Sequence, residues 1–554
     1  MRKRFILLSL LILGACNQAP QEKIPDNKQA TPFLWDNATV YFMLTDRFNN
    51  GDTTNDQSLG RAHDGALLRN FEGGDFAGIT AKIKENYFTD LGANALWITP
   101  PFEQVSGFTN EGTGKTYAYH GYWIRDWTTT DPNYGTMAEL KQLVDEAHAK
   151  GIRVIIDVVI NHTGPVTGSD SVWPETWVRT EPTCAYKDFE STVTCTLVKN
   201  LPDIRTDSDE AVELPDFLLK KWEEEGRLEQ ELQELDAFFA RTGYPRAPRY
   251  YIMKWLVDMV RELGVDGFRV DTAKHTEAGI WKELYKEASA AFAEWKKANP
   301  DAKLDDTEFY MVGEVYNYVI SHGQDFNYGD TAVNFYAQDF DALINFAFKY
   351  DATASMDSVH AAYSATLNDG ALADYSVLNY LSSHDDGSPF DANREKALLA
   401  GTLLMLSPGA AQIYYGDETA RLLVKEGTVG DANLRTLMNW DELEQNAARN
   451  GYTIQEVLAH WQKLGKFRKG HPSVGAGMHS VIAESPYVFS RTYTAGDYSD
   501  EVVVAIAPGE AAIPVGEVFA EGTQVTDHYS GESATVKEGM VQFATAADLR
   551  LLSL

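Results

Sequence analysis

Apolar residues follow two rhythms along this chain, and the rhythms alternate. Residues 40–44, 95–99 and 152–160 are short runs in which almost every position is apolar, the last broken by Arg153 and Asp157. Such runs suit parallel strands covered on both faces. Residues 137–150 instead place apolar side chains three and four apart and stop at Gly151, the signature of an amphipathic helix with a glycine end. The alternation continues with a helix over 251–263, a strand within 264–271 and a helix over 277–298. Strands over 309–315, 342–346, 377–381 and 411–415 follow, with a further helix over 394–406. Eight strands interleaved with helices predict an α/β chain, a (β/α)8 TIM barrel.

Three stretches fall outside the alternation. Residues 161–248 lie between the third and fourth strands and hold Trp173, Trp177, two cysteines and a charged helix near 217–241. A long excursion after a barrel strand builds the wall of a site. Residues 471–554 read as short strands, such as 487–493 and 502–507, separated by Gly and Pro. They predict a C-terminal antiparallel β-domain, a small sandwich. At the other end, Arg2, Lys3 and Arg4 precede an apolar run too short to span a bilayer as a mature helix. Residues 1–15 read as a signal peptide. Leu13-Gly14-Ala15-Cys16 resembles a bacterial lipoprotein box, which implies cleavage before Cys16 and a lipid on its sulfur. Residues 16–37 read as a flexible tether, 38–160 and 249–470 as the two parts of the barrel, 161–248 as the excursion and 471–554 as the last domain.

Composition narrows the partners. The 554 residues carry 81 Asp and Glu against 48 Lys and Arg, a formal charge of −33, which argues against nucleic acid and against direct binding to an anionic membrane. Membrane attachment is expected only through the lipid, and the chain is expected to act as a monomer. Of the three cysteines, lipidation of Cys16 leaves Cys184 and Cys195 as a pair flanking a hairpin or loop. Export permits a disulfide between them.

The candidate chemistry gathers where strands end, which is where barrels keep it. In the fourth strand Arg269 and Asp271 share a face, with Phe268 and Val270 on the other. A guanidinium beside a carboxylate favours its charged form, as a carboxylate nucleophile requires. The third strand ends in Asp157-Val-Val-Ile-Asn161-His162, the fifth in Val312-Gly-Glu314-Val, the seventh in Ser382-Ser-His384-Asp385. Glu314 follows an apolar strand, where desolvation and neighbouring carboxylates raise a carboxyl pKa.

These four segments resemble the conserved regions of the α-amylase family, glycoside hydrolase family 13. Thr45-Asp-Arg-Phe48, Gly73-Gly-Asp75 and Ala118-Tyr-His-Gly-Tyr-Trp123 add to the likeness, and Asp271-Thr-Ala-Lys-His275 brings it nearest to the bacterial periplasmic members. Ser383 stands where many members have Asn. The resemblance implies Asp271 as nucleophile, Glu314 as acid and then base, and Asp385 as the group that holds the sugar O2 and O3. It implies His120, Tyr122, Trp123, His162, Arg269, Lys274, His275 and His384 as substrate contacts. Many α-glucosidases of the family lack the Lys274-His275 pair, so the implied substrate is starch, a maltodextrin or a maltooligosaccharide cut at internal α-1,4 bonds. A cyclodextrin-acting hydrolase or a 4-α-glucanotransferase shares the same triad, and a glycan-binding protein without catalysis could share the scaffold.

The resemblance also implies calcium. Asn161, Asp203 and the carbonyl of His275 resemble the ligands of the family's structural ion, and hard oxygen donors suit Ca²⁺. A second cluster, Asn50, Asp52, Asn55, Asp56, Gly73 and Asp75, has the spacing of the N-terminal calcium loop of cyclodextrin glucanotransferases. It is not an EF-hand, because the glutamate at position twelve is missing.

Overall fold

In the computed structural model, which describes residues 31–110 and 112–554, eight parallel strands close into a barrel in sequence order. They are β1 (Thr39–Met43), β2 (Ala95–Ile98), β3 (Arg153–Val158), β4 (Gly267–Val270), β5 (Tyr310–Gly313), β6 (Ala342–Asn345), β7 (Ser376–Tyr380) and β8 (Ala410–Tyr414). All eight are buried from end to end, which is why their sequences read as mainly apolar runs, with buried polar exceptions such as Arg153, Asp157 and Arg269. The helix Met137–Ala149 starts on a capping box between Thr136 and Glu139. The helix Pro248–Leu263 starts with proline in its first turn and ends at Gly264, whose φ of +74° only glycine adopts without strain. A Cβ there would also lie 2.0 Å from the Trp295 ring. Gly264 therefore fixes how the chain turns into β4, the strand that carries Arg269.

Between β3 and β4 the excursion returns to the barrel through a two-stranded ribbon, Val178–Arg179 against Asp203–Ile204. An isolated bridge between His162 and Asp203 pins that ribbon to the end of β3. The charged segment is two helices rather than the expected one, Asp216–Glu224 and Leu228–Thr242, because Gly226 takes φ +73° between them. Trp173 and Trp177 are core residues: both are buried, and Trp177 lies parallel to Trp255. The segment between the cysteines is a loop that carries one short helical turn, Glu190–Val193, and Cys184 and Cys195 are disulfide-bonded.

The C-terminal module is a six-stranded antiparallel sheet with a separate two-stranded ribbon, around its own core of Val488, Val503, Val525 and Leu552. Residues 1–30, with Cys16 and the signal segment, lie outside the described residues. The end of the expected tether is packed: Trp35 stacks on Tyr310 with centroids 3.8 Å apart, and the Arg153 guanidinium covers Phe33 at 3.3 Å. Among the described residues no helix is long and apolar enough to cross a membrane.

Candidate active site

Register places the chemistry. Arg269 on β4 lies level with Asp157 on β3, and its Nη1 donates to both Asp157 oxygens at 3.0 and 3.1 Å. The same Nη1 donates to Asp271 Oδ1 at 2.7 Å, and Nη2 lies 3.1 Å from Glu314 Oε1. One buried guanidinium thus holds three carboxyl groups. Asp157 also accepts from Tyr122 Oη at 2.7 Å and Trp97 Nε1 at 3.1 Å. Arg269 is 1% exposed and lies beneath the cleft floor. The structure therefore places this expected substrate contact against the carboxylates instead. Arg269→Met would leave them without a counter-charge, and we expect it to cost about 3–5 kcal/mol of folding stability. Urea unfolding checks this; an unchanged midpoint would show that the cluster does not depend on the guanidinium.

Glu314 receives a second fixed donor. Thr272, directly after Asp271, has φ +49°, a left-handed conformation strained for a β-branched residue. That turn aims the Thr272 N–H at Glu314 Oε2, 2.8 Å away. Burial pushes the Glu314 carboxyl well above the usual glutamate range; Arg269 opposes the shift, and the charges of Asp271 and Asp385 add to it. That direction is the one a group that must deliver a proton needs.

Asp271, Glu314 and Asp385 line one cleft of about 690 Å³. His120, Tyr122, Trp123, His162, Lys274, His275 and His384 line it too. Burial lowers the pKa of all four histidines, that of His275 to about 4, so they act as neutral hydrogen-bonding groups near neutral pH. His120 Nδ1 accepts from the Tyr122 N–H at 3.1 Å, which leaves its proton on Nε2. Tyr122 and His384 are stacked, with centroids 5.1 Å apart. Lys274 donates to the Tyr316 carbonyl at 3.0 Å, and His275 Nδ1 contacts the Thr192 carbonyl of the disulfide loop at 3.0 Å.

A model described as "Alpha amylase, catalytic domain" matches residues 42–477. The chain belongs to the α-amylase family. It is 37% identical to the periplasmic alpha-amylase of Escherichia coli (strain K12) over 542 residues, which cover 87% of this chain and 73% of that one. It is 30% identical to a cyclomaltodextrin glucanotransferase of Bacillus licheniformis over 490 residues, covering 82% of this chain and 57% of that one. Among solved structures, an Anoxybacillus alpha-amylase superposes with a TM-score of 0.65 at 23% identity, covering 94% of this chain and 99% of that chain. At that identity the superposition speaks to the fold. Family membership makes the chain a glycosidase.

Within this family site, some wall residues had no motif to announce them. Arg435 donates from Nε to the His384 carbonyl at 2.8 Å and pairs with Asp431 at 2.7 Å. Asp431 in turn lies 3.1 Å from Arg69 Nη2. Asp431 and Arg435 sit on a 3-10 turn, Gly430–Arg435, far along the chain from the four strand ends. Tyr186, in the disulfide loop, and Tyr316 also line the cleft. Tyr316 was findable: it lies two residues past Glu314, still at the strand end.

The residues expected to hold calcium can be tested against the geometry. Asn161 Nδ2 lies 3.0 Å from Asp203 Oδ1 and 3.0 Å from the His275 carbonyl oxygen. His162 Nε2 donates to the Tyr122 carbonyl at 3.1 Å, so in the neutral ring Nδ1 is an acceptor, and it faces Asn161 Oδ1 at 3.3 Å. Half a turn of the Asn161 amide removes that mismatch and brings three oxygens together, the donor set a hard cation takes. The set fits calcium. In the second cluster Asn50 donates to Asp56 at 2.9 Å, and Asn55 Oδ1 is buried without a hydrogen-bond partner. A Cβ on Gly73 would fall 2.3 Å from Asn50 Nδ2 and 2.6 Å from Asp56 Oδ1, so the fold draws these groups close. Asp75 accepts backbone N–H groups from Gly51, Asp52 and Gly78 and caps a helix. Asp52 accepts from Thr54 at 2.6 and 2.9 Å within its own turn, both on Oδ1. Among the described residues no three His, Cys, Asp or Glu converge as a metal site; both candidates depend on amide and carbonyl oxygens.

Proposed function

We propose that the chain is an α-amylase that hydrolyses internal α-1,4-glucosidic bonds of starch, maltodextrins and maltooligosaccharides with retention. The observation that carries this reading is the Arg269 bridge: one guanidinium contacts both Asp271 and Glu314, while burial pushes the Glu314 carboxyl above the usual glutamate range. That is the close, unlike pair of a double displacement rather than the wider pair that leaves room for water. Glu314 protonates the leaving glycosidic oxygen as Asp271 attacks C1 and forms a β-glycosyl-enzyme. Glu314, now a carboxylate, takes a proton from water, and that water attacks C1 to release the α-anomer. Asp385, open to the cleft, holds O2 and O3 and stabilises the oxocarbenium-like transition state. His120, His162 and His384 bond hydroxyls of the same ring, Tyr122 and Trp123 pack against it, and Lys274 and His275 border the leaving-group side.

Calcium would be held by Asn161, Asp203 and the His275 carbonyl, and a second ion by Asn50, Asp52, Asn55, Asp56, Gly73 and Asp75. The first would tie the excursion to the end of β3 and so set the cleft wall. The chain is exported and anchored by lipid on Cys16, facing the periplasm or the cell surface, where it trims glucans as a monomer; the E. coli relative is named as periplasmic.

The glucanotransferase relative keeps a second reading in view, in which a sugar rather than water takes up the glycosyl group. A time course on maltoheptaose separates the two. Hydrolysis gives short linear products, with the α-anomer appearing first by NMR. Longer or cyclic glucans as main early products would move the assignment to a transferase, and no turnover at all would leave glycan binding alone.

A further inference from the structure

Asp203 has two oxygens, and the chain places a different partner on each. Oδ1 takes the Asn161 amide, which also reaches the His275 carbonyl. Oδ2 faces Arg179, the cross-strand neighbour of Asp203 in the excursion ribbon, whose Nε lies 3.0 Å away. Arg179 also pairs with Asp207, and its side chain is only 11% exposed. The Asn161 N–H bridges two oxygens that would otherwise repel, and the guanidinium supplies the positive charge a buried carboxylate needs. This arrangement gives Asp203 a counter-charge from the protein's own groups, while its Oδ2 and Arg179 Nε, both buried, make no hydrogen bond. The alternative, with the Asn161 oxygen turned inward, needs a cation among three oxygens.

We propose that Arg179 gives the excursion a docked state that persists without calcium, and that it competes with the ion for Asp203. The inference rests on the calcium reading above and deepens it. The ribbon then has two stable arrangements. In one, Arg179 and the Asn161 N–H hold Asp203; in the other, the ion and the Asn161 oxygen do. Calcium would tighten the cleft wall without being required for its folding.

The test uses the full chain, stripped of metal, with Arg179→Met and Arg179→Lys. Unfolding temperature is measured in excess calcium and in excess chelator, and calcium binding by titration calorimetry. For the unaltered chain, chelation should lower the unfolding temperature by only about 2–4 °C. In Arg179→Met the buried carboxylate has no resident cation, so chelation should lower it by roughly 10 °C, with recovery in calcium. Calcium should bind this variant on the order of tenfold more tightly, because a unit charge on the same carboxylate no longer repels the ion. Arg179→Lys keeps a charge without the planar fork and should fall between the two. If Arg179→Met is recovered folded only in calcium, that outcome supports the proposal, and the lysine variant still supplies both measurements. Equal chelation shifts in all three proteins, or a loss of stability in Arg179→Met that calcium does not restore, overturns it. No calcium uptake by any of them overturns the calcium reading itself, a result the calorimetry distinguishes from the failure of Arg179 alone.

Discussion

Replacing Asp271 by Asn is expected to lower kcat/KM on soluble starch by about three orders of magnitude or more. The amide keeps the size of the side chain and its hydrogen bond to Arg269, which donates to Oδ1 from 2.7 Å. It cannot attack C1 as an anion, so no glycosyl-enzyme forms. Maltooligosaccharide binding should persist, because the rest of the cleft is unchanged, and titration calorimetry on the variant would show it. Reducing-sugar release within a few-fold of the unaltered protein would remove Asp271 from its role.

Glu314→Gln removes the acid and should cost about 10³-fold on starch. Its signature is leaving-group dependence. An α-maltosyl fluoride needs no proton to depart, so formation of the glycosyl-enzyme from it should be far less affected. Burial raises the Glu314 carboxyl, with the neighbouring charges of Asp271 and Asp385 adding to the shift against Arg269. The acid form therefore survives above the ordinary carboxyl range and is lost as pH rises through the raised value. Activity should fall on that alkaline side, and the limb should disappear in the glutamine variant with the fluoride substrate. The linkage to stability runs the same way: the folded state holds a proton that the unfolded chain releases, so this group's contribution fades as pH rises through the folded value. An alkaline limb that is unchanged in Glu314→Gln would assign it to another group.

Much of the barrel was legible along the chain because burial on both faces leaves a plain mark. The runs at 40–44, 95–99 and 377–381 became β1, β2 and β7 to within a residue or so at each end. The excursion was less legible. One charged helix proved to be two because a single glycine decides a local turn, and periodicity averages over it. The letters of Trp173 and Trp177 do not place them; both prove to be buried, and Trp177 packs parallel to Trp255.

Strand periodicity is local and needs no partner, so the fold class and the side chains at the strand ends can be read along the chain. It marked Arg269 and Asp271 as sharing a face. Only the tertiary structure decided that this arginine also reaches Asp157 and Glu314, that Arg435 and Asp431 join the wall, and that Arg179 stands on Asp203. Those contacts join separate strands, turns and ribbons. Their distances follow from how the barrel closes and how the excursion folds back, and charge pairing across such separations leaves no periodic trace along the chain.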